Sequence, residues 1–145
     1  MRLSRYTDYA LRVLIYLAAR EDRLCSIGGI AQAYGISRNH LMKVVSDLGR
    51  AGFVTTVRGR GGGLRLSRPP AEINIGAVVR HTEEGFDLVD CGSCRIAPAC
   101  GLTGLLGEAL AAFLQVLDQR SLADIVRNKA ALAELLGNPD EPPSS

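Results

Sequence analysis

Three of the chain's four cysteines, Cys91, Cys94 and Cys100, lie in the stretch VDCGSCRIAPACG. Thiolates two residues apart grip one metal centre from a turn, and Gly92 and Gly101 leave the segment free to wrap around it. A disulfide would pair two of the thiols and leave one over. Structural zinc asks for a fourth cysteine or histidine, yet the only histidines are His40 and His81, the latter ten residues before the cluster. Three cysteines with one weaker ligand also suit an iron–sulfur cluster, whose open or oxygen-ligated iron is a point of reaction for a small molecule. On these residues alone iron–sulfur, zinc and redox-active thiols all stay open. A thioredoxin-like dithiol enzyme is disfavoured, because no βαβ pattern surrounds the C-x-x-C, and the chain is not expected to be an enzyme.

A second set of residues has the chemistry for a polyanion. Residues 1–70 carry twelve Lys/Arg against four Asp/Glu, a net of +8, while residues 71–145 carry five against eleven, a net of −6. The overall +2 therefore hides a basic half joined to an acidic one. In the basic half, Ser26 caps a short helix through Ile30 and Ala31, and Gly35 stops it. Ser37 caps a second helix whose Leu41, Val44, Val45 and Leu48 fall at i, i+3, i+4, i+7. Phe53–Val57 and Leu64–Leu66 read as strands around the turn GRGGG, and Pro69-Pro70 closes the unit. Helix, glycine turn, helix and hairpin make a winged helix-turn-helix. Arg38, Asn39, His40 and Lys43, just after Ser37, occupy the first turns of the helix that enters a major groove, and Arg58, Arg60, Arg65 and Arg68 populate the wing. The glycines 59–63 lack the Gly-Lys-Ser/Thr of a nucleotide loop.

The elements that position these groups follow from periodicity. Leu3, Tyr6, Ala10, Leu14, Leu17 and Ala18 predict a first helix ending before Glu21–Arg23. Ile73–His81 suits another helix, Thr82–Cys100 a loop, and Leu102 opens a long Ala/Leu-rich helix to about Gln119 that a chain of this size cannot cover by itself. Ser121–Val126 starts a last helix. The expected fold class is mainly α with a small β-hairpin wing. Residues 1–80 form the DNA-binding domain and 81–101 a cysteine-rich cluster-binding loop. Residues 102–136 supply a dimerisation helix and a C-terminal helix, and 137–145 a flexible tail. The apolar run Val13–Ala19 is far too short to span a bilayer, and Asp8 and Arg12 interrupt any secretion signal, so a cytoplasmic protein without membrane association is expected.

Taken together, LSRYTDYALRVLIYLA, GISRNHLMKVVSDLGRAGFVTTVRGRGGGLRL and VDCGSCRIAPACGL resemble the winged-helix iron–sulfur regulator family, in its NsrR branch of nitric-oxide-sensing repressors. The likeness runs from about residue 1 to Val126 and takes in the closing LADIV. It implies a homodimer on a palindromic DNA operator, with nitric oxide as the signal. It also implies an iron–sulfur cluster, 4Fe-4S or 2Fe-2S, on Cys91, Cys94 and Cys100. A carboxylate from the partner's first helix, here Asp8, would be the fourth ligand. IscR-like members use a histidine shortly after the third cysteine, and none follows Cys100. The competing expectations are a redox- or iron-responsive repressor of the same fold and a zinc-stabilised, constitutive DNA binder. Cys25 lies outside the motif and reads as a small buried side chain, with ligation as its alternative role.

Overall fold

Each helix of the basic half begins at a serine. In the computed structural model, which describes residues 2–137, Ser4 Oγ accepts the Thr7 N–H at 3.2 Å and opens α1 (Arg5–Ala19). Ser26 accepts from Gly29 at 2.9 Å ahead of α2 (Ile27–Tyr34), and Ser37 from His40 at 3.5 Å ahead of α3 (Arg38–Arg50). Such caps satisfy N–H groups that lack an intrahelical partner. Leu3 precedes the first cap and is exposed, so the apolar stripe of α1 starts only with the helix itself. Between α2 and α3 the chain reverses through Gly35, whose φ of 65° is the left-handed conformation glycine adopts without strain.

β1 (Val54–Val57) and β2 (Gly63–Leu66) pair antiparallel, Thr55 opposite Arg65, and form the wing. Cys25 adds a bridge to the same sheet: its N–H donates to the Leu64 carbonyl at 2.9 Å and its carbonyl accepts from Leu64 at 2.6 Å. A 3-10 turn at Pro70–Glu72 leads to α4 (Ile75–Thr82), then come α5 (Leu102–Asp118), α6 (Leu122–Ile125) and α7 (Lys129–Leu136). The core is made by Val13, Leu14 and Leu17 of α1 against Ile30, Leu41, Leu48, Leu64, Val78 and Leu122, all essentially without exposure. This is a mainly helical fold with a hairpin wing.

Two helices differ from the sequence reading. The helix expected at Ile73 begins at Ile75, because the Asn74 side chain caps it by accepting from Ala77 at 2.9 Å while Ile73 stays extended and buried. The helix after Ser121 is a single turn, closed by a Ser121–Asp124 capping box, and a separate α7 starts where Asn128 accepts from Ala131. Residues 138–145, assigned from sequence to the tail, lie outside the described residues. Arg20, at the end of α1, stacks under the Tyr16 ring (4.8 Å) and its guanidinium bonds the Ala133 and Gly137 carbonyls, which seats α7 on α1.

The seat of α5 is tight. Gly76 of α4 faces Asp118, and the Asn74 amide donates to the Asp118 carbonyl at 2.6 Å while Arg80 pairs with its carboxylate at 2.6 Å. Beyond that joint α5 has little cover. Leu114 is its only buried residue, and Leu105 and Val116 are each 60% exposed.

Candidate functional site

The recognition helix is fixed from behind and open in front. Leu41, Val44, Val45 and Leu48 anchor one face of α3 in the core, which turns Arg38, Asn39 and Lys43 outward, exposed beside the exposed cap Ser37. His40 is only half exposed, because its ring meets the edge of Tyr9 on α1 at 4.8 Å. Of the predicted contact residues on this helix it is the one that packing engages. On the wing, Arg58, Arg60 and Arg65 are exposed, and among the described residues none of them forms an ion pair. Arg68 instead lies over the Phe53 ring at 5.4 Å. Free guanidinium groups flanking an exposed helix start are what a phosphate backbone and base edges need.

The cysteine loop runs from the end of α4 to the start of α5, while the Gly76–Asp118 joint locks the opposite ends of the two helices. Its backbone is made of short turns: Cys94 N–H to Cys91 carbonyl (3.3 Å), Ala97 to Cys94 (3.3 Å) and Ala99 to Ile96 (3.0 Å). All three loop thiols are free, Cys94 exposed and Cys91 and Cys100 half buried. No side chain caps the start of α5, and the Leu102 N–H there donates to Cys100 Sγ at 3.5 Å. Cys91 Sγ sits 3.1 Å from the Thr103 hydroxyl. Beside it a cavity of about 660 Å3 opens between loop and α5, bounded by Phe86, Leu88, Val89, Leu106 and Leu110.

Unpaired thiols, one accepting the Leu102 N–H and one beside the Thr103 hydroxyl, are a donor set that fits an iron–sulfur cluster, whose properties such bonds tune. Among the described residues no three His, Cys, Asp or Glu side chains converge on a metal-sized centre. Neither histidine is offered to the loop: His40 packs on Tyr9, and His81 Nε2 lies 3.2 Å from Asp47 Oδ2 with its ring edge toward Phe53. The zinc alternative therefore lacks a nearby imidazole. Cys25 is withdrawn into the core, where burial pushes its thiol up against the opposing pull of Arg20 and Arg23.

Asp8, in the first turn of α1, is half exposed and bonded to Arg12 Nε at 3.0 Å. Arg12 in turn lies over the Tyr34 ring of α2 at 5.6 Å, and the Tyr34 hydroxyl donates to the Arg12 carbonyl at 2.8 Å. Burial pushes that tyrosine up to about 12, against the opposing influence of Arg12. The resemblance singles out Asp8, but sequence reasoning missed its connection to the helix-turn-helix. It also missed Glu83, whose carboxylate accepts the Ser4 N–H at 2.6 Å. One signal was available: Ser4-Arg5-Tyr6-Thr7 lacks the Glu or Gln that would complete a capping box, so that N–H needs a partner from elsewhere.

Comparison with known proteins agrees with this geometry. The Rrf2 family, described as an iron-dependent transcriptional regulator, matches residues 3–128. The HTH-type transcriptional regulator NsrR of Bacillus subtilis (strain 168) is 54% identical over 142 residues, covering 94% of this chain and 97% of its own length. NsrR of Geobacillus kaustophilus (strain HTA426) is 50% identical, with 94% and 97% covered. Among solved structures, IscR of T. potens superposes with a TM-score of 0.73 at 25% identity over 88% of each chain. CymR, the global cysteine regulator of B. subtilis, gives 0.70 at 28% identity, covering 88% of this chain and 97% of its own. The relatives are transcriptional regulators and not enzymes.

Proposed function

The chain belongs to the Rrf2 family of transcriptional regulators, and we propose that it is a DNA-binding repressor whose operator affinity is set by an iron–sulfur cluster responsive to nitric oxide. The observation that carries this reading is the loop itself. It presents three free thiols on one short segment, and among the described residues no three His, Cys, Asp or Glu side chains are gathered to hold a metal within one protomer. A second copy supplies what is missing. The bare apolar surface of α5, with Leu105 and Val116 exposed, is the face on which two chains pair as a homodimer. Asp8 of the partner subunit is the fourth ligand beside Cys91, Cys94 and Cys100. The cluster, 4Fe-4S with 2Fe-2S as the alternative, supplies iron that reacts with nitric oxide.

The chain's own residues then do the following. Ser37, Arg38, Asn39, His40 and Lys43 address the major groove of each half-site of a palindromic operator, and Arg58, Arg60 and Arg65 of the wing hold flanking phosphates or the minor groove. Residues 1–80 form this DNA-binding unit, 81–101 the ligand loop and 102–136 the dimer-forming helices. When Asp8 is engaged by the partner's loop it leaves Arg12, which then rests on Tyr34 alone. When Asp8 is released, the Asp8–Arg12 pair reforms and draws on the contact between α1 and α2. Two arrangements of one side chain, coupled to the helix-turn-helix, give the switch its two states. The protein acts in the cytoplasm, where such thiols stay reduced.

Replacing Cys94 by alanine tests the reading. The variant should fold as a dimer, lose the cluster and bind its operator at least tenfold more weakly than the anaerobic wild type, a coupling of about 1.4 kcal/mol. Equal affinity with and without the cluster would sink the switching role and leave a constitutive DNA binder.

A further inference from the structure

The last turn of α4, immediately before the cysteine loop, is bound to the N-terminus of α1. Glu83 ends α4 and its carboxylate accepts the Ser4 N–H at 2.6 Å. One residue earlier, the buried Thr82 hydroxyl donates to Thr7 Oγ1 at 2.8 Å, and Ser4 Oγ meets the same Thr7 oxygen at 3.1 Å. Partial burial opposes charge on Glu83, but the Ser4 N–H and the hydroxyls of Thr7 and Ser4 outweigh it and hold the carboxyl below its ordinary range. Glu83 thus completes the capping box that α1 cannot complete from its own third position, where Thr7 stands. The turn it secures carries Asp8, and the chain leaving it reaches Cys91 eight residues later.

We propose that Glu83 is a positioning residue that couples the two clusters of the dimer to one another. The proposal rests on the reading given above, in which each loop holds a cluster and each Asp8 ligates the cluster of the other protomer. One protomer's Glu83 then joins the base of its own loop to the helix turn that serves the partner's site. Loss of a cluster frees the loop, loosens Glu83 from Ser4 and lets that Asp8 drift from the partner's cluster. The same contact in the other protomer closes the circuit, so the two clusters are gained and lost together.

Native mass spectrometry of dimers, reconstituted anaerobically with iron and sulfide until half of the loops are loaded, counts zero-, one- and two-cluster species. Independent sites would give about half of the dimers with one cluster, whereas a tenfold coupling lowers that share to about a quarter. Wild type should show the lower share, and Glu83→Ala should return it to about half. Glu83→Gln, which keeps an acceptor for the Ser4 N–H, should restore the wild-type distribution. Glu83→Asp, with a shorter arm but the same charge, should behave as the alanine variant does and provides a second test if Glu83→Ala folds poorly. A purely structural role for Glu83 would raise the iron and sulfide needed to reach half loading without moving the one-cluster share at that point. An unchanged share in both Glu83→Ala and Glu83→Asp overturns the proposal while leaving the cluster reading intact. A wild-type dimer that takes up no cluster overturns both.

Discussion

Replacing Gly76 by alanine pits two opposing effects against each other. In a helix interior that substitution ordinarily stabilises, by about 0.4–1 kcal/mol, because glycine loses more backbone entropy on folding. Here a Cβ at position 76 would lie 1.9 Å from Asp118 Oδ1, 2.9 Å from its Cγ and 2.9 Å from its backbone nitrogen. The carboxylate could rotate away, but at the cost of its 2.6 Å pair with Arg80, and the backbone nitrogen has no such freedom. Forcing one methyl into a packed joint costs about 1–3 kcal/mol, so the clash wins and the net effect is destabilising by about 1–2 kcal/mol. Urea unfolding followed by circular dichroism measures it, as a lower midpoint with unchanged slope. A variant as stable as wild type, or more stable, would refute the close approach of α4 to α5.

Other expectations follow from single contacts. Ser37→Ala removes the cap of the recognition helix and should cost about 1 kcal/mol of stability, read from the same unfolding curves. Arg60→Ala should weaken operator binding at every sequence alike and lower the salt slope of log Kd by about one, as measured by fluorescence anisotropy at several salt concentrations. Leu105→Glu with Val116→Glu should yield monomers in sedimentation at concentrations where wild type is dimeric, because two charges would enter an apolar interface. Tyr34 ionises at about 12 in the folded chain against an ordinary 10.0, so its contribution is complete below pH 10.0 and is lost as pH rises through the folded value. Tyr34→Phe should flatten that alkaline decline in stability.

The fold was legible where local chemistry decides it. Ser26, Gly35 and Ser37 announce cap, stop and cap within twelve residues, and the apolar spacing of Leu41 to Leu48 sets the buried face of the recognition helix. The loop cysteines stood out because three of the chain's four fall within ten positions. Long-range partners were not. Ile73 reads as helix by its apolar side chain, yet the cap offered by Asn74 competes locally and wins. The break between α6 and α7 depends on Asn128, an ordinary surface residue in any sequence scan. In sequence His81 reads only as a candidate metal ligand, and Glu83 falls unremarked in the loop that follows the helix. Their roles exist only because α4 crosses both the N-terminus of α1 and the flank of α3, where Asp47 receives His81 at 3.2 Å.

The most direct test of the central claim is native mass spectrometry of the anaerobically purified dimer, before and after nitric oxide, with operator binding measured on the same samples. The account predicts an iron–sulfur mass on each protomer, its conversion to nitrosylated products, and release of DNA in step with that conversion. A dimer carrying only zinc or only disulfides, or one that keeps its DNA after the cluster has reacted, would contradict it.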